Sequence, residues 1–205
     1  MSGAPAAGAE AGAGWLAELE ACGALTRGHF KLSSGLHSPA YVQCARLLED
    51  PVRARRAGAA LAAALVAAVG RPDSVLSPAL GAVLVGHEAA AALGVPFRFV
   101  ERNADRVFEL RRGFHLAPGE RVVVVEDAVT TGGSTREVIE LAAAAGTEVT
   151  AVGAIIDRSG IDAPNGPFDV PFVALARLTL PTYPPDACPL CAAGRPIEKP
   201  GSRPG

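Results

Sequence analysis

Lysine is almost missing from this chain: Lys31 and Lys199 are the only two among 19 basic residues. Where a cation is needed it is therefore nearly always a guanidinium, which holds charge but does not give up its proton. Excess charge of either sign is also missing. A net charge of −2 gives no general reason to expect a nucleic-acid or membrane partner. No apolar run reaches membrane-spanning length. The best candidate, residues 57–69, is too short and follows Arg53, Arg55 and Arg56, so it reads as a soluble helix. The Ala/Gly-rich residues 1–14 have no basic leading region, so a disordered tail is expected and not a signal peptide. The expected compartment is then the cytoplasm, with thiols reduced. Four cysteines (Cys22, Cys44, Cys188, Cys191) are too few for a secreted disulfide framework at 205 residues. Two nucleotide-binding motifs are missing too: no Gly-Lys-Ser/Thr follows a glycine loop, and there is no Gly-x-Gly-x-x-Gly.

What is present centres on Arg121–Glu137, RVVVVEDAVTTGGSTRE. Val122–Val125 is an unbroken β-branched run, which predicts a strand buried on both faces of a parallel sheet. Glu126 and Asp127 follow, then a loop of small hydroxyl residues and glycines, then a helical pattern. Ser134 and Glu137 have capping-box spacing, so the helix is expected to start at Ser134. Backbone N–H groups at a helix start, approached closely past glycine, bind phosphate. Two carboxylates at the end of a strand accept hydrogen bonds from a vicinal diol or hold Mg²⁺ through water. A phosphate grip beside a diol grip points to a ribose 5-phosphate.

A hydrophobic content of 49% supports one sizeable core. A helix is expected from Trp15 to Gly23, and two short strands around the turn Ser33-Ser34-Gly35. Asp50 and Pro51 start a helix as N-cap and first residue, which ends at Gly70. Val75–Ser77 is a short strand, followed by a tight turn over Pro78–Gly81 and a helix from Ala82 to Leu93 in which His87 and Glu88 read as a partly buried and a surface residue. Pro96–Glu101 is a further strand. Residues 102–118 have no clear period and carry Arg102, Arg106, Arg111, Arg112 and His115. A basic loop of that length is either a solvated surface or a functional element. Val149–Ile156 is a strand ending in Asp157-Arg158, either a surface ion pair or a ligand contact at a sheet's C-terminal edge. Phe168–Leu178 is the last strand. The Pro/Gly-rich tail contains Cys188-Pro-Leu-Cys191, which is half a zinc site or a pair of reduced structural thiols. A complete site would need ligands from Cys22, Cys44, histidines or a second chain. Alternating strands and helices indicate an α/β fold.

The central stretch closely resembles the signature of the type I phosphoribosyltransferases, which bind 5-phosphoribosyl 1-diphosphate (PRPP). The match covers some thirteen residues. Phe30–Cys44 is similar to the segment that forms a hood over the pyrimidine in the orotate branch, through Ser34-Gly35, Ser38-Pro39 and Tyr41. Ser33 and Leu36 stand where many members have Lys and Arg, and Lys31 or His37 is the candidate replacement. Gly81 stands at another lysine position. Arg102, Asn103 and Arg106 match an Arg and two Lys of a mobile loop, and Arg111–Phe114 and the cysteine-bearing tail resemble segments of one branch.

The resemblance implies a central parallel sheet flanked by helices (residues 15–180) with a small N-terminal hood (mainly 15–48), and a tail, 181–205, packed on the hood or the domain. It implies catalytic roles for Glu126, Asp127, Arg102 and Arg106. PRPP would be bound by those four with Ala128, Val129, Thr130, Thr131, Gly132, Gly133, Ser134 and Thr135. Orotate would be bound by Thr130, Arg158 and Tyr41, with Arg158 taking its carboxylate. Mg²⁺ would be held through PRPP and water, with no direct protein ligand. A homodimer is implied, in which loop 102–118 reaches the neighbouring site. The alternatives are a purine phosphoribosyltransferase and a non-catalytic PRPP-binding regulator of the same fold.

Overall fold

The computed structural model describes residues 6–200. Helix α1 (Ala6–Ala21) leads into a hairpin, β1 (Leu25–Lys31) and β2 (His37–Val42). Two helices follow, α2 (Ala45–Leu48) and α3 (Pro51–Val69), then β3 (Ser74–Pro78), α4 (Val83–Leu93), β4 (Phe97–Arg102) and β5 (Phe108–Leu110). The second half runs β6 (Arg121–Val129), α5 (Gly133–Ala144), β7 (Glu148–Asp157), β8 (Phe172–Arg177) and a short α6 (Pro189–Ala192). Six strands form one sheet in the order β5-β4-β3-β6-β7-β8. All neighbours are parallel except β4 and β5. The hairpin β1–β2 is a separate two-stranded sheet.

Strand β6 shows why the valine run is there. Side chains alternate across a sheet. Val123 and Val125 pack into the core shared with α1, α3 and α4, and Val122 and Val124 into the core that includes Val138 and Ala142 of α5. A strand covered on both faces needs apolar residues at every position, and all four valines are fully buried. Helix α3 starts as its sequence dictates: the Asp50 carboxylate accepts from the N–H groups of Val52 and Arg53, and Pro51 takes the first turn.

Several boundaries differ from expectation. Helix α1 begins at Ala6, well before Trp15, because its first turns are rich in alanine, the best helix former. Of the expected disordered tail, residues 1–5 lie outside the described residues. The basic loop is not structureless: Asn103 to Val107 make a turn, and Phe108–Leu110 returns antiparallel to β4, so the sheet is mixed and not purely parallel. Glu126 and Asp127 sit inside β6 and not after it. The last strand begins at Phe172, since residues 163–168 turn first.

Helix α5 starts at Gly133, one residue before Ser134. Its N-cap is Gly132 in the left-handed conformation, φ 74°, and no side chain caps it. The capping box does not form because Glu137 is taken by Arg102, at 2.8 and 3.1 Å.

Candidate active site

The C-terminal ends of parallel strands are where open α/β sheets bind ligands. Here β3, β6 and β7 end on the same side, beneath the hairpin. Residues 126–135 line a cleft of about 250 Å³ at the end of β6. One wall is the acid pair. Glu126 is buried and Asp127 is half-buried. The Asp127 N–H donates to Glu126 Oε1 at 3.1 Å. Burial, then the Asp127 charge and a side-chain hydrogen bond to Asp127, push the Glu126 carboxyl well up from its ordinary range.

The opposite wall is the start of α5. The first N–H groups of a helix have no partner within it. Gly133 makes only a long contact, 3.4 Å, to Thr131 Oγ1. Gly132 is fixed twice over. Its φ is one that side-chain-bearing residues avoid, and an added Cβ would lie 2.9 Å from the Phe168 ring. Arg136 holds the loop from outside, donating to the carbonyls of Thr131 and Pro167, both at 2.9 Å. That clamp carries no sequence signal and was not expected.

Two further segments reach Asp127. A Cβ on Gly81 would lie 2.8 Å from Asp127 Oδ2, so the turn after β3 touches the acid pair directly. A lysine there would have to displace the carboxylate. Cys44, at the end of the hairpin, donates its thiol to the Asp127 carbonyl at 3.5 Å. Burial, then the charges of Asp127 and Glu126, push that thiol well up, so it stays protonated and is no nucleophile.

Arg158 lies at the end of β7, near Cys44 and Tyr41. Its Nε is buried without a hydrogen-bond partner, and burial lowers its affinity for its proton. The alternative of an Asp157–Arg158 ion pair is not formed. Asp157 instead accepts from Ser159 N–H at 2.8 Å and faces Arg177 at 3.8 Å. Tyr41 sits across from Arg158 on β2, tilted against Phe30 with ring centres 5.9 Å apart. Hairpin and sheet edge thus bring together an aromatic ring and a cation whose Nε has no partner among the described residues.

Arg102 ends β4 and belongs to this chain's own cleft. Its guanidinium lies 3.9 Å over the Phe108 ring and 3.5 Å from Ser134 Oγ, and it pairs with Glu137. That pair is partly exposed, so it is worth about 0–1 kcal/mol and a bound anion can displace it. Arg106 is not gathered into the cleft. It sits exposed at the hairpin tip with φ 66°. His37, one candidate cation for the base, is unsuited to that role. Its ring is buried against His29 and Cys191, and burial, then His29 and Lys31, lower its pKa. His87 is largely exposed on α4, with its ring edge-on to Phe97.

Comparison with known proteins agrees with this geometry. Residues 46–165 match the phosphoribosyl transferase domain family. The orotate phosphoribosyltransferase of Heliobacterium modesticaldum is 51% identical over 182 residues, 88% of this chain and 92% of that one. That of Thermotoga maritima is 51% identical over 187 residues, 90% of this chain and 96% of the other. Among solved structures, the orotate phosphoribosyltransferase of Aeropyrum pernix superposes with a TM-score of 0.63 at 29% identity, covering 78% of this chain and 91% of that one.

Proposed function

The chain belongs to the orotate phosphoribosyltransferases, within the phosphoribosyl transferase domain family, and from that membership we propose how its own residues carry the transfer. The reaction moves the 5-phosphoribosyl group of PRPP to orotate. The bond from ribose C1 to a pyrophosphate oxygen breaks, the bond from C1 to a ring nitrogen of orotate forms, and pyrophosphate and orotidine 5′-monophosphate leave. It is a step of pyrimidine biosynthesis.

In the loose transition state the ribose ring is cationic and pyrophosphate carries the electrons. The enzyme's work is positioning and charge stabilisation. The free N–H groups at the start of α5, with the hydroxyls of Thr130, Thr131, Ser134 and Thr135, hold the 5-phosphate. Ala128 and Val129 carry the backbone from the acids into that loop. Glu126 and Asp127 accept from the ribose hydroxyls, and their negative charge favours the cationic ring. Arg102 leaves Glu137 for the departing pyrophosphate. Arg158 takes the orotate carboxylate, with Tyr41 against the ring and Thr130 beside it. The observation that carries this reading is the cleft that sets two adjacent acids against a helix start with no side-chain cap, with Arg158, whose buried Nε has no hydrogen-bond partner among the described residues, on the next strand.

Mg²⁺ fits this site as an ion carried by PRPP. Among the described residues Glu126 and Asp127 join no group of three or more metal-ligating side-chain atoms, which suits a hydrated ion better than a protein cage. When bound it would offset charge on the pyrophosphate.

The working unit is a homodimer in which the hairpin tip with Arg106 serves the neighbouring site. Support comes from the exposure of Arg106 outside its own cleft and from exposed apolar Leu80, Leu84 and Val107. The direct test of the acid pair is Asp127→Asn. Turnover should fall by about 10²-fold or more while the melting temperature stays near that of the parent. Near-normal turnover would remove Asp127 from the mechanism.

A further inference from the structure

The C-terminal segment is held to the hairpin by almost no apolar burial. Across residues 181–200 only Cys188 belongs to the buried core, and Ile197 is exposed. Backbone pairing ties it down at two places. His37 and Tyr183 exchange N–H···O bonds of 2.8 and 2.9 Å, and Glu198 bonds Lys31 N–H and His29 carbonyl, both at 2.8 Å. A segment this poor in core residues needs another staple.

Between those two ties lie four side chains. His29 of β1, His37 of β2, Cys188 and Cys191 each offer one ligand atom, all within 4.8 Å of one another. His29 Nε2 is 3.0 Å from His37 Nδ1, 3.6 Å from Cys188 Sγ and 3.7 Å from Cys191 Sγ, and Cys191 Sγ is 3.3 Å from His37 Nδ1. Zinc binds nitrogen at about 2.0 Å and sulfur at about 2.3 Å, so ligands at tetrahedral angles lie roughly 3.3–3.8 Å apart. Four of the six pairs already have nearly that spacing.

The protonation pattern fits as well. His29 Nδ1 lies 2.9 Å from the Arg195 carbonyl, which can only accept, so Nδ1 bears a hydrogen and Nε2 is the nitrogen that faces the cluster. The carbonyl comes from the tail itself, just past the cysteines. Three of the four residues are buried.

We propose that His29, His37, Cys188 and Cys191 bind one Zn²⁺ ion tetrahedrally, and that this ion fastens the C-terminal segment to the hairpin that covers the base. On binding, each thiol loses its proton to solvent. Two thiolates, two neutral imidazoles and Zn²⁺ sum to zero charge, which suits a buried centre. A mixed S₂N₂ tetrahedron selects zinc over magnesium or calcium. The ion lies away from the acid pair and takes no part in the transfer.

The test begins with metal analysis of the full chain, made without a histidine tag in zinc-replete medium. About one zinc per chain is expected, retained through gel filtration. Replacement by Co²⁺ should give the intense visible bands of a tetrahedral thiolate site. Cys191→Ser should lower bound zinc at least tenfold, and chelation of the parent should speed proteolysis within 181–200. Less than about a tenth of an equivalent of zinc with all four thiols free, a Cys188–Cys191 disulfide, equimolar iron in place of zinc, or a Cys191→Ser variant that keeps its zinc would each overturn the proposal. Stoichiometry and the cobalt spectrum are read on the parent chain, so the outcome does not depend on the variant folding.

Discussion

At the scale of single residues, Glu126 and Asp127 set a conflict between stability and function. Burying two acids side by side costs free energy unless one keeps its proton. The Glu126 carboxyl is held well above its ordinary range by burial and by Asp127. Between the unfolded carboxyl pKa, about 4.3, and the raised folded value, the folded chain binds more protons than the unfolded one. This group's contribution to stability is thus fully present below that window and lost as pH rises through the folded value. Glu126→Gln removes the loss. The ligand-free variant should melt above the parent, with a difference that grows from pH 4.5 to pH 8, at about 2–4 °C for each kcal/mol, while turnover falls. A melting difference that shrinks with rising pH would place the proton elsewhere.

At the scale of elements, the loop before α5 depends on the shape of one turn. Gly132 sits at positive φ against Phe168, and Arg136 fastens the loop to Pro167. Gly132→Ala should cost about 1–3 kcal/mol of stability and raise KM for PRPP at least tenfold, measured by melting and steady-state kinetics. A neutral result would mean the loop tolerates another cap. This element also shows what sequence can and cannot reveal. The strand, the acids and the helix were legible because a β-branched run and a hydroxyl-rich glycine loop have local physical meaning. The helix start was misplaced because Ser134 and Glu137 had the spacing of a capping box, while Glu137 is claimed by Arg102 from a different strand. Arg136 gave no signal and His29 was not singled out among the four histidines, since their partners are 31 and 166 residues away in the chain. The strand at Phe108–Leu110 was invisible because three residues are too few to show a period.

At the scale of the whole molecule, the sheet gathers the site from segments as distant as Tyr41 and Arg158, and the tail returns to lie on the hairpin. Arg106 stands exposed outside its own cleft. If it serves the neighbouring site while Asp127 serves its own, Arg106→Ala and Asp127→Asn damage different chains of a shared site. Both variants should be weak alone. Mixed in equal amounts and allowed to exchange subunits, half the dimers carry one of each, with one intact site of two, so activity should recover to about a quarter of the parent. A mixture no more active than the average of its parts would place Arg106 in its own chain's site or outside catalysis.

The claim on which the rest depends is that this cleft accepts orotate through Arg158. The measurement is base consumption with PRPP and Mg²⁺, run on orotate, adenine, hypoxanthine and uracil side by side, with the parent and with Arg158→Gln. Orotate alone should be consumed by the parent, with one pyrophosphate released per base, and Arg158→Gln should lose at least tenfold in kcat/KM for orotate. Turnover of a purine but not of orotate, or binding of PRPP with no base consumed, would contradict it.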